Sequence, residues 1–338
     1  MAVFKKKSTK IIFIISVVFI VIAIAVTTFV ICYKNAEYDA YLQKKSSVEN
    51  GVIYSTGCTV ELMQFLDKEG ISIDESVRNK YKKLSIKIFD DIYEKNLNAY
   101  SMTYLALINS YFNLGKDEYI KSLFDRFYSE KYHLLRGKID ISDDEADNET
   151  ILEDNSYWLI PLRRSGFDMS DYGIEEKLIK EYNKYIKQDF IGNEDTERKL
   201  SDIMMYFFYT DQIDKIDYIK MKSYYIDYNG FYDVSDKKES LGIYFDDVSS
   251  INCFLRLFNN DKSYSELTDK TYLELSSDED FSFFGDASDF QVVLNTVGYS
   301  YIDCVNQNKY FTDNVNRWMD EVYENNIKEI SKVWLGKL

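Results

Sequence analysis

The chain has 338 residues, of which 57 are acidic and 41 are basic, and its net charge at neutral pH is −16. The first 32 residues contain four lysines and no acid, so the remainder carries a net charge of −20. This charge repels phosphate groups, so nucleic acid is not expected as a partner. Because His133 is the single histidine and no Walker A or Rossmann glycine pattern occurs, we expect no metal and no cofactor.

Residues 11–32 form an uncharged apolar run, which as a helix would measure about 33 Å, enough to cross a bilayer. Lysines precede this run and only Lys34 follows closely, which places the N-terminus in the cytosol. The alternative is a secretory signal peptide cleaved after Ala25. The sequence therefore predicts a single-pass protein of the cell membrane with four regions: a basic cytosolic N-terminus at 1–10, a transmembrane anchor at 11–32, a helical stalk at 33–53 and an extracytoplasmic domain at 54–338.

Apolar helical runs stop six times at a glycine or polar corner that a second amphipathic helix follows. The corners are separated by 45, 51, 45, 48 and 49 residues and fall at Gly70, Gly115, Gly166, Asp211, Asn259 and Asn308. A period of about 48 residues predicts six repeated helical hairpins. Tetratricopeptide units have a similar corner, but their period is only about 34 residues.

The two helices of each hairpin differ in their hydrophobic pattern. First helices are apolar nearly all round, as in "MTYLALINSYF", whereas second helices keep one apolar stripe, as at Ile174, Leu178 and Tyr182. A helix that is apolar on all sides needs neighbours on all sides. The sequence therefore predicts an all-α fold with two concentric layers, an (α/α)6 toroid. An open superhelix of hairpins would give the same local pattern.

Two segments interrupt this helical plan. Residues 137–155 are acidic and poor in apolar side chains, so we expect an exposed loop. The segment "YYIDYNGFYDVS", 224–235, has an Asn-Gly pair between tyrosine-rich runs and predicts one small β-hairpin.

In a closed toroid, the starts of the inner helices line one rim of a cavity. Aromatic and acidic side chains at these starts are therefore the candidate ligand-binding residues: Tyr100, Tyr157, Trp158, Asp246, Asp247, Asp286 and Asp289. Among them, Asp246, Asp247 and Asp289 are the candidate catalytic carboxylates, since paired carboxylates can perform acid–base chemistry on a glycosidic bond. The structural alternative is that polar residues at helix starts are N-caps.

The six hairpins with an apolar inner row resemble the α/α-toroid superfamily of terpenoid cyclases, protein prenyltransferases and six-hairpin glycosidases. The resemblance covers about residues 54–330 and is one of architecture, because the cyclases' Gln-Trp repeats and the prenyltransferases' zinc ligands are absent. We therefore expect a binding domain for a peptide, a glycan or a partner protein in an aromatic and acidic concavity. The alternative is a minimal toroid enzyme acting on a carbohydrate or an isoprenoid, and a structural spacer is a third possibility.

Overall fold

The computed structural model describes residues 2–92, 94–145, 152–190, 193–222, 253, 257–258 and 309–335, with side chains from Lys34 onward apart from a few positions. The α-helices in these ranges are α1 (Ala2–Lys68), α2 (Glu75–Asp91), α3 (Ala99–Phe112), α4 (Asp117–Phe127), α5 (Leu152–Arg164), α6 (Ile174–Tyr185), α7 (Glu194–Tyr209) and α8 (Lys309–Trp334). The antiparallel strands are β1 (Tyr128–Ser129) and β2 (Leu134–Leu135). The described part of the chain is mostly helical, which confirms the predicted all-α class.

Four of the six predicted corners lie among the described residues, and each follows the end of a first helix. All four have a positive φ, with values of 69°, 68°, 80° and 57° at Gly70, Gly115, Gly166 and Asp211. Glycine adopts this left-handed conformation without strain, which explains its presence at three of these corners. The corners at Gly70, Gly115 and Gly166 are confirmed. Asp211 is confirmed as the end of a first helix, and the described residues that follow it form two 3-10 turns, Ile213–Lys215 and Tyr218–Met221. Asn259 and Asn308 lie outside the described residues.

The predicted difference between first and second helices is confirmed for the described hairpins. Helix α3 is buried nearly all round, and only Ser110 in it is exposed. Helix α6 instead buries one stripe, formed by Ile174, Leu178 and Tyr182. Helix α3 packs between α1 and α5, and α5 packs between α3 and α7. The first helices therefore form an inner row, against which α2, α4 and α6 pack.

Helices α1 and α3 run parallel, because the residue numbers of their contacting pairs increase together along both helices. The Tyr54 and Tyr100 rings have centroids 4.7 Å apart, and further along both helices the Tyr111 hydroxyl donates to Asp67 Oδ2 at 2.8 Å. Both helices therefore begin at the same end of the inner row.

Helix α8 covers the first hairpin. Its apolar stripe is buried: Trp318, Met319, Val322 and Ile330. Asn316 Nδ2 donates to Ser72 O at 3.2 Å, and Asn326 Nδ2 donates to Ser55 Oγ at 3.2 Å. Ser72 lies just after α1 and Ser55 lies inside it, so the residue numbers of α8 rise as those of its partners fall, and α8 packs antiparallel to α1.

The stalk and the first inner helix are one structure. Helix α1 continues through the boundary predicted between residues 53 and 54, and its burial begins at Glu49, which is 6% exposed. Among the residues described with their side chains, no helix has the length and hydropathy needed to cross a membrane. The predicted anchor at 11–32 lies outside that set.

The irregular segments differ from the sequence-based expectations. The acidic loop ends before residue 155, because α5 begins at Leu152. Glu153 and Asp154 in the first turn of α5 interact favourably with the positive end of the helix dipole. The strands β1 and β2 form a hairpin that the sequence analysis did not predict, and His133 lies in its turn with φ 53°. The hairpin predicted at 224–235 lies outside the described residues.

Candidate functional site

Six polar or ionisable side chains from three inner helices meet beside one another, and we call them the axial cluster. Its members are Tyr54, Cys58 and Glu61 of α1, Tyr100 and Tyr104 of α3, and Arg164 of α5. The α1 members follow an i, i+4, i+7 spacing, which places them on one face of the helix. The two α3 members are four residues apart and share a face in the same way.

An ion pair forms the deep end of the axial cluster, where the Glu61 side chain is 3% exposed and the Arg164 side chain is 13% exposed. Arg164 Nη1 lies 3.0 Å from Glu61 Oε1, although α3 separates the helices that carry them. Adjacent helix axes lie about 9 Å apart, so in a flat row α1 and α5 would be about 18 Å apart. The short ion pair therefore indicates that the inner row curves and that the cluster lies on its concave side. Arg164 Nε also donates to Tyr209 O at the end of α7, at 3.1 Å.

Hydrogen bonds connect the ion pair to the tyrosines. The Tyr104 hydroxyl donates to Glu61 Oε2 at 3.3 Å, and the Cys58 thiol lies 3.5 Å from the same hydroxyl. The side chains of Cys58, Glu61 and Tyr104 are at most 3% exposed. All four described inner helices thus contribute an atom to one continuous polar network.

The other end of the axial cluster is aromatic and partly open. Tyr54 and Tyr100 are half-buried, and the Tyr100 hydroxyl donates to that of Tyr54 at 3.3 Å. The Tyr104 ring packs edge-on against both, with centroid distances of 5.4 Å and 5.0 Å. We call Tyr54 and Tyr100 the mouth of the cluster, since Cys58, Glu61 and Tyr104 beneath them are buried and α3 begins at this end.

The axial cluster presents neutral groups and one internally paired charge. Burial raises the pKa of each of its three tyrosines and of the Cys58 thiol, so all four stay protonated at neutral pH. Burial also raises the pKa of Glu61, although the Arg164 guanidinium favours the ionised carboxylate. A ligand at the mouth therefore meets aromatic faces and neutral hydroxyls, and the charge beneath them is already paired.

A close approach of α1 and α3 holds the tyrosines in place. A Cβ atom on Gly57 would lie 2.3 Å from Tyr104 Cδ1 and 2.5 Å from Tyr104 Cβ. No larger residue fits there unless the helices move apart. Gly57 is a residue that the sequence analysis missed, although a glycine inside an apolar helical run is a recognised signal of close packing.

The predicted ligand-binding residues have different outcomes. Tyr100 belongs to the axial cluster, whereas Tyr157 and Trp158 are half-buried side chains of α5 that pack against the hydrophobic core. The remaining candidates lie outside the described residues: Asp246, Asp247, Asp286 and Asp289. The structure therefore places one predicted residue at the candidate site and adds five neighbours to it.

Several polar residues near the helix starts have structural roles. Asn98 and Asn193 accept hydrogen bonds from the backbone of α3 and α7 as N-caps. Asn155 is fully buried, and its amide both accepts from Leu135 N at 2.7 Å and donates to Leu135 O at 2.9 Å. Its side chain thus pairs with β2 as a neighbouring strand would.

No group of three or more metal-ligating side chains converges within the part of the chain that the structure describes. Comparison with models of protein families, with curated proteins and with solved structures gives no match. The assignment of a function therefore depends on the geometry of the axial cluster.

Proposed function

We propose that this chain is a single-pass, membrane-anchored binding protein, whose extracytoplasmic body takes a peptide, a glycan or a partner protein at the axial cluster. Residues 11–32 form the anchor, with residues 1–10 in the cytosol. The observation that carries the proposal is the convergence of four inner helices on one polar network with an aromatic mouth. Concave inner surfaces of helical-hairpin arrays are binding surfaces in other proteins.

The position of α8 supports a closed toroid over an open superhelix. In an open array the first and last hairpins lie far apart. Here the last described helix buries Trp318 against the first hairpin, and the Tyr81 hydroxyl of α2 donates to Met319 O at 2.9 Å. A ring brings these two parts of the chain together, so we propose that the hairpins close around the axial cluster.

The chemistry of the axial cluster favours binding over catalysis. Its single carboxylate, Glu61, is bound by Arg164 and Tyr104, whereas glycoside hydrolysis requires two carboxylates at the reacting bond. The enzymatic alternative depends on Asp246, Asp247 and Asp289. These residues lie outside the described ranges, so that alternative stays a prediction.

The test uses the full chain in lipid nanodiscs with two probe sets, phage-displayed random peptides and a printed glycan panel. Probes that the wild type retains should bind the Tyr54→Ala/Tyr100→Ala variant about tenfold more weakly or worse, since two stacking faces are lost. The matched control is Ile219→Ala, which removes an aliphatic side chain that is 58% exposed and distant in sequence from the cluster.

Two results would overturn the proposal. The first is that every retained probe binds the double alanine variant as tightly as the wild type. The second is that the wild type retains no probe of either class. A Tyr54→Phe/Tyr100→Phe variant keeps both rings, so it should retain most of the binding and confirm that the fold survives changes at the mouth.

A further inference from the structure

The geometry points to a partner that is held in the same membrane as this chain: an extracytoplasmic segment of a membrane-embedded protein. This inference rests on the proposed function, because it uses both the anchor at 11–32 and ligand binding at the axial cluster. It adds the direction from which the ligand arrives and the chemical class of the ligand.

The mouth of the axial cluster opens toward the anchor. Helix α1 enters the body from the anchor side, and α3 runs parallel to it, as the paired contacts of Tyr54 with Tyr100 and of Asp67 with Tyr111 show. The inner helices α1 and α3 therefore have their anchor-side ends together. The half-buried tyrosines lie at that end, and the ion pair of Glu61 with Arg164 lies further from the membrane.

The orientation of the body is fixed by packing. Helix α1 has no break between the anchor and Tyr54, and α8 lies antiparallel beside it. After the contact of Asn326 with Ser55, α8 continues for two more turns toward the anchor, where Ile330 lines a notch with Glu49. Between the anchor and this notch α1 is a single unbroken helix, which is stiffer than a flexible linker, so the mouth stays directed at the membrane.

The height of the mouth selects the kind of partner. Tyr54 follows the end of the anchor by 22 residues, which places it about 33 Å above the hydrocarbon core if α1 stands upright. The head-group layer is only about 5–8 Å thick, so lipid head groups do not reach the mouth. An extended polypeptide covers about 3.3 Å per residue, so a segment of roughly ten residues that emerges from a neighbouring span does reach it. The net charge of the residues after the anchor favours a neutral or basic segment.

The orientation is tested with single cysteines at the two ends of the inner row, in a full-length background with all four native cysteines replaced by serine. Lys95→Cys lies just before α3 and Glu69→Cys lies at the far end of α1, and both positions are exposed. Asn50, whose side chain accepts from Asn98 N near Lys95, is about 27 Å along α1 from the anchor, whereas Glu69 is about 55 Å away.

The probe is a maleimide attached to lipid by a polyethylene glycol tether with a reach of about 40 Å, in phosphatidylcholine vesicles. Lys95→Cys should react with it at least about tenfold faster than Glu69→Cys, because the tether spans only the shorter of the two heights. A soluble maleimide of the same size should label both at similar rates. Equal or reversed rates with the tethered probe would overturn the inference and leave the binding proposal intact.

The partner is tested by photo-crosslinking from p-benzoylphenylalanine in place of Tyr54, in native membranes. The matched variant carries 18 additional helical residues after residue 40, which raises the mouth by about 27 Å and preserves its direction, since 18 residues make five turns. We expect an adduct with an integral membrane protein whose yield falls at least about tenfold in the lengthened variant.

The other outcomes count against the inference. An adduct with a soluble protein, a lipid-linked glycan or a lipid contradicts the proposed class of partner. An adduct of unchanged yield in the lengthened variant shows that the ligand is not held in the membrane. Peptides that the wild type retains should bind the wild type and the lengthened variant equally. If no peptide binds either protein, the proposed function is wrong, and this result is distinct from a failed crosslink.

Discussion

Replacing a glycine of α1 by alanine should change the stability of the chain in opposite directions at Gly51 and at Gly57, because α3 approaches α1 closely at Gly57. Gly51 and Gly57 both lie inside α1, but an added Cβ has no neighbour within 4 Å at Gly51, whereas at Gly57 it meets Tyr104 at 2.3 Å. Alanine is favoured over glycine in a helix by about 1 kcal/mol. Gly51→Ala should therefore stabilise the chain by up to about 1 kcal/mol.

At Gly57 the overlap outweighs the same gain in helix propensity. Because Tyr104 Cβ itself lies 2.5 Å from the added atom, rotating the ring does not relieve the clash, and α1 must move away from α3. Overpacking of this kind costs about 1–3 kcal/mol, and the severity of the overlap places Gly57→Ala near the upper figure. After the propensity gain, the net loss is about 2 kcal/mol.

The assay is urea unfolding of both variants in detergent, followed by circular dichroism, with the denaturation midpoint as the measured quantity. Gly51→Ala should raise the midpoint and Gly57→Ala should lower it. If Gly57→Ala is as stable as Gly51→Ala, the helices do not approach as described. The placement of Tyr104 in the axial cluster would then be wrong.

Three further predictions concern buried contacts. Arg164→Met leaves the Glu61 carboxyl buried without its partner, so its already raised pKa rises further. Stability should fall as the pH increases from about 4.3 through that pKa, by up to about 3.7 kcal/mol at pH 7, since each of these roughly 2.7 pH units contributes at most about 1.36 kcal/mol. Equal losses in urea midpoint at pH 5 and pH 7.5 would contradict this. Trp318→Ala should cost about 3–5 kcal/mol and lower amide-exchange protection in α1 and α2, whereas Lys328→Ala at an exposed position of the same helix should not. Asn155→Leu leaves two backbone groups of β2 unpaired, so it should cost about 2–3 kcal/mol in thermal unfolding, and no change would refute its strand-like pairing.

The helical plan was predictable because its signals are local. A glycine between an apolar run and an amphipathic run marks a corner through its own backbone freedom, and Gly70, Gly115 and Gly166 are confirmed in this way. Asp211 has no such freedom and is still a corner with φ 57°, which the end of an apolar helical run identified. The ion pair that joins α1 to α5 across the inner row was not predictable from the sequence, since its two residues are far apart in the chain.

The deep end of the candidate site was missed because charged residues are usually assigned to the surface. Glu61 is the only charge in the apolar run "VIYSTGCTVELMQFL", and such isolation is a signal of a buried, paired carboxylate. Its partner could not be identified, because Arg164 is 103 residues away and lies next to another arginine. The hairpin of β1 and β2 was missed for a similar reason, since each strand has only two residues and β2 pairs with the side chain of the distant Asn155.

The unbroken α1 helix links the rotation of the body to the length of the stalk. Each residue of an α-helix turns the chain by about 100°, so one inserted residue between the segment 11–32 and Glu49 swings the whole body about the α1 axis by that angle. Seven inserted residues return it to within about 20° of its original position. Insertions or deletions in the stalk should therefore be tolerated when they add or remove whole helical turns. Substitutions on the exposed face of the stalk should be tolerated far more readily than the insertion or deletion of a single residue.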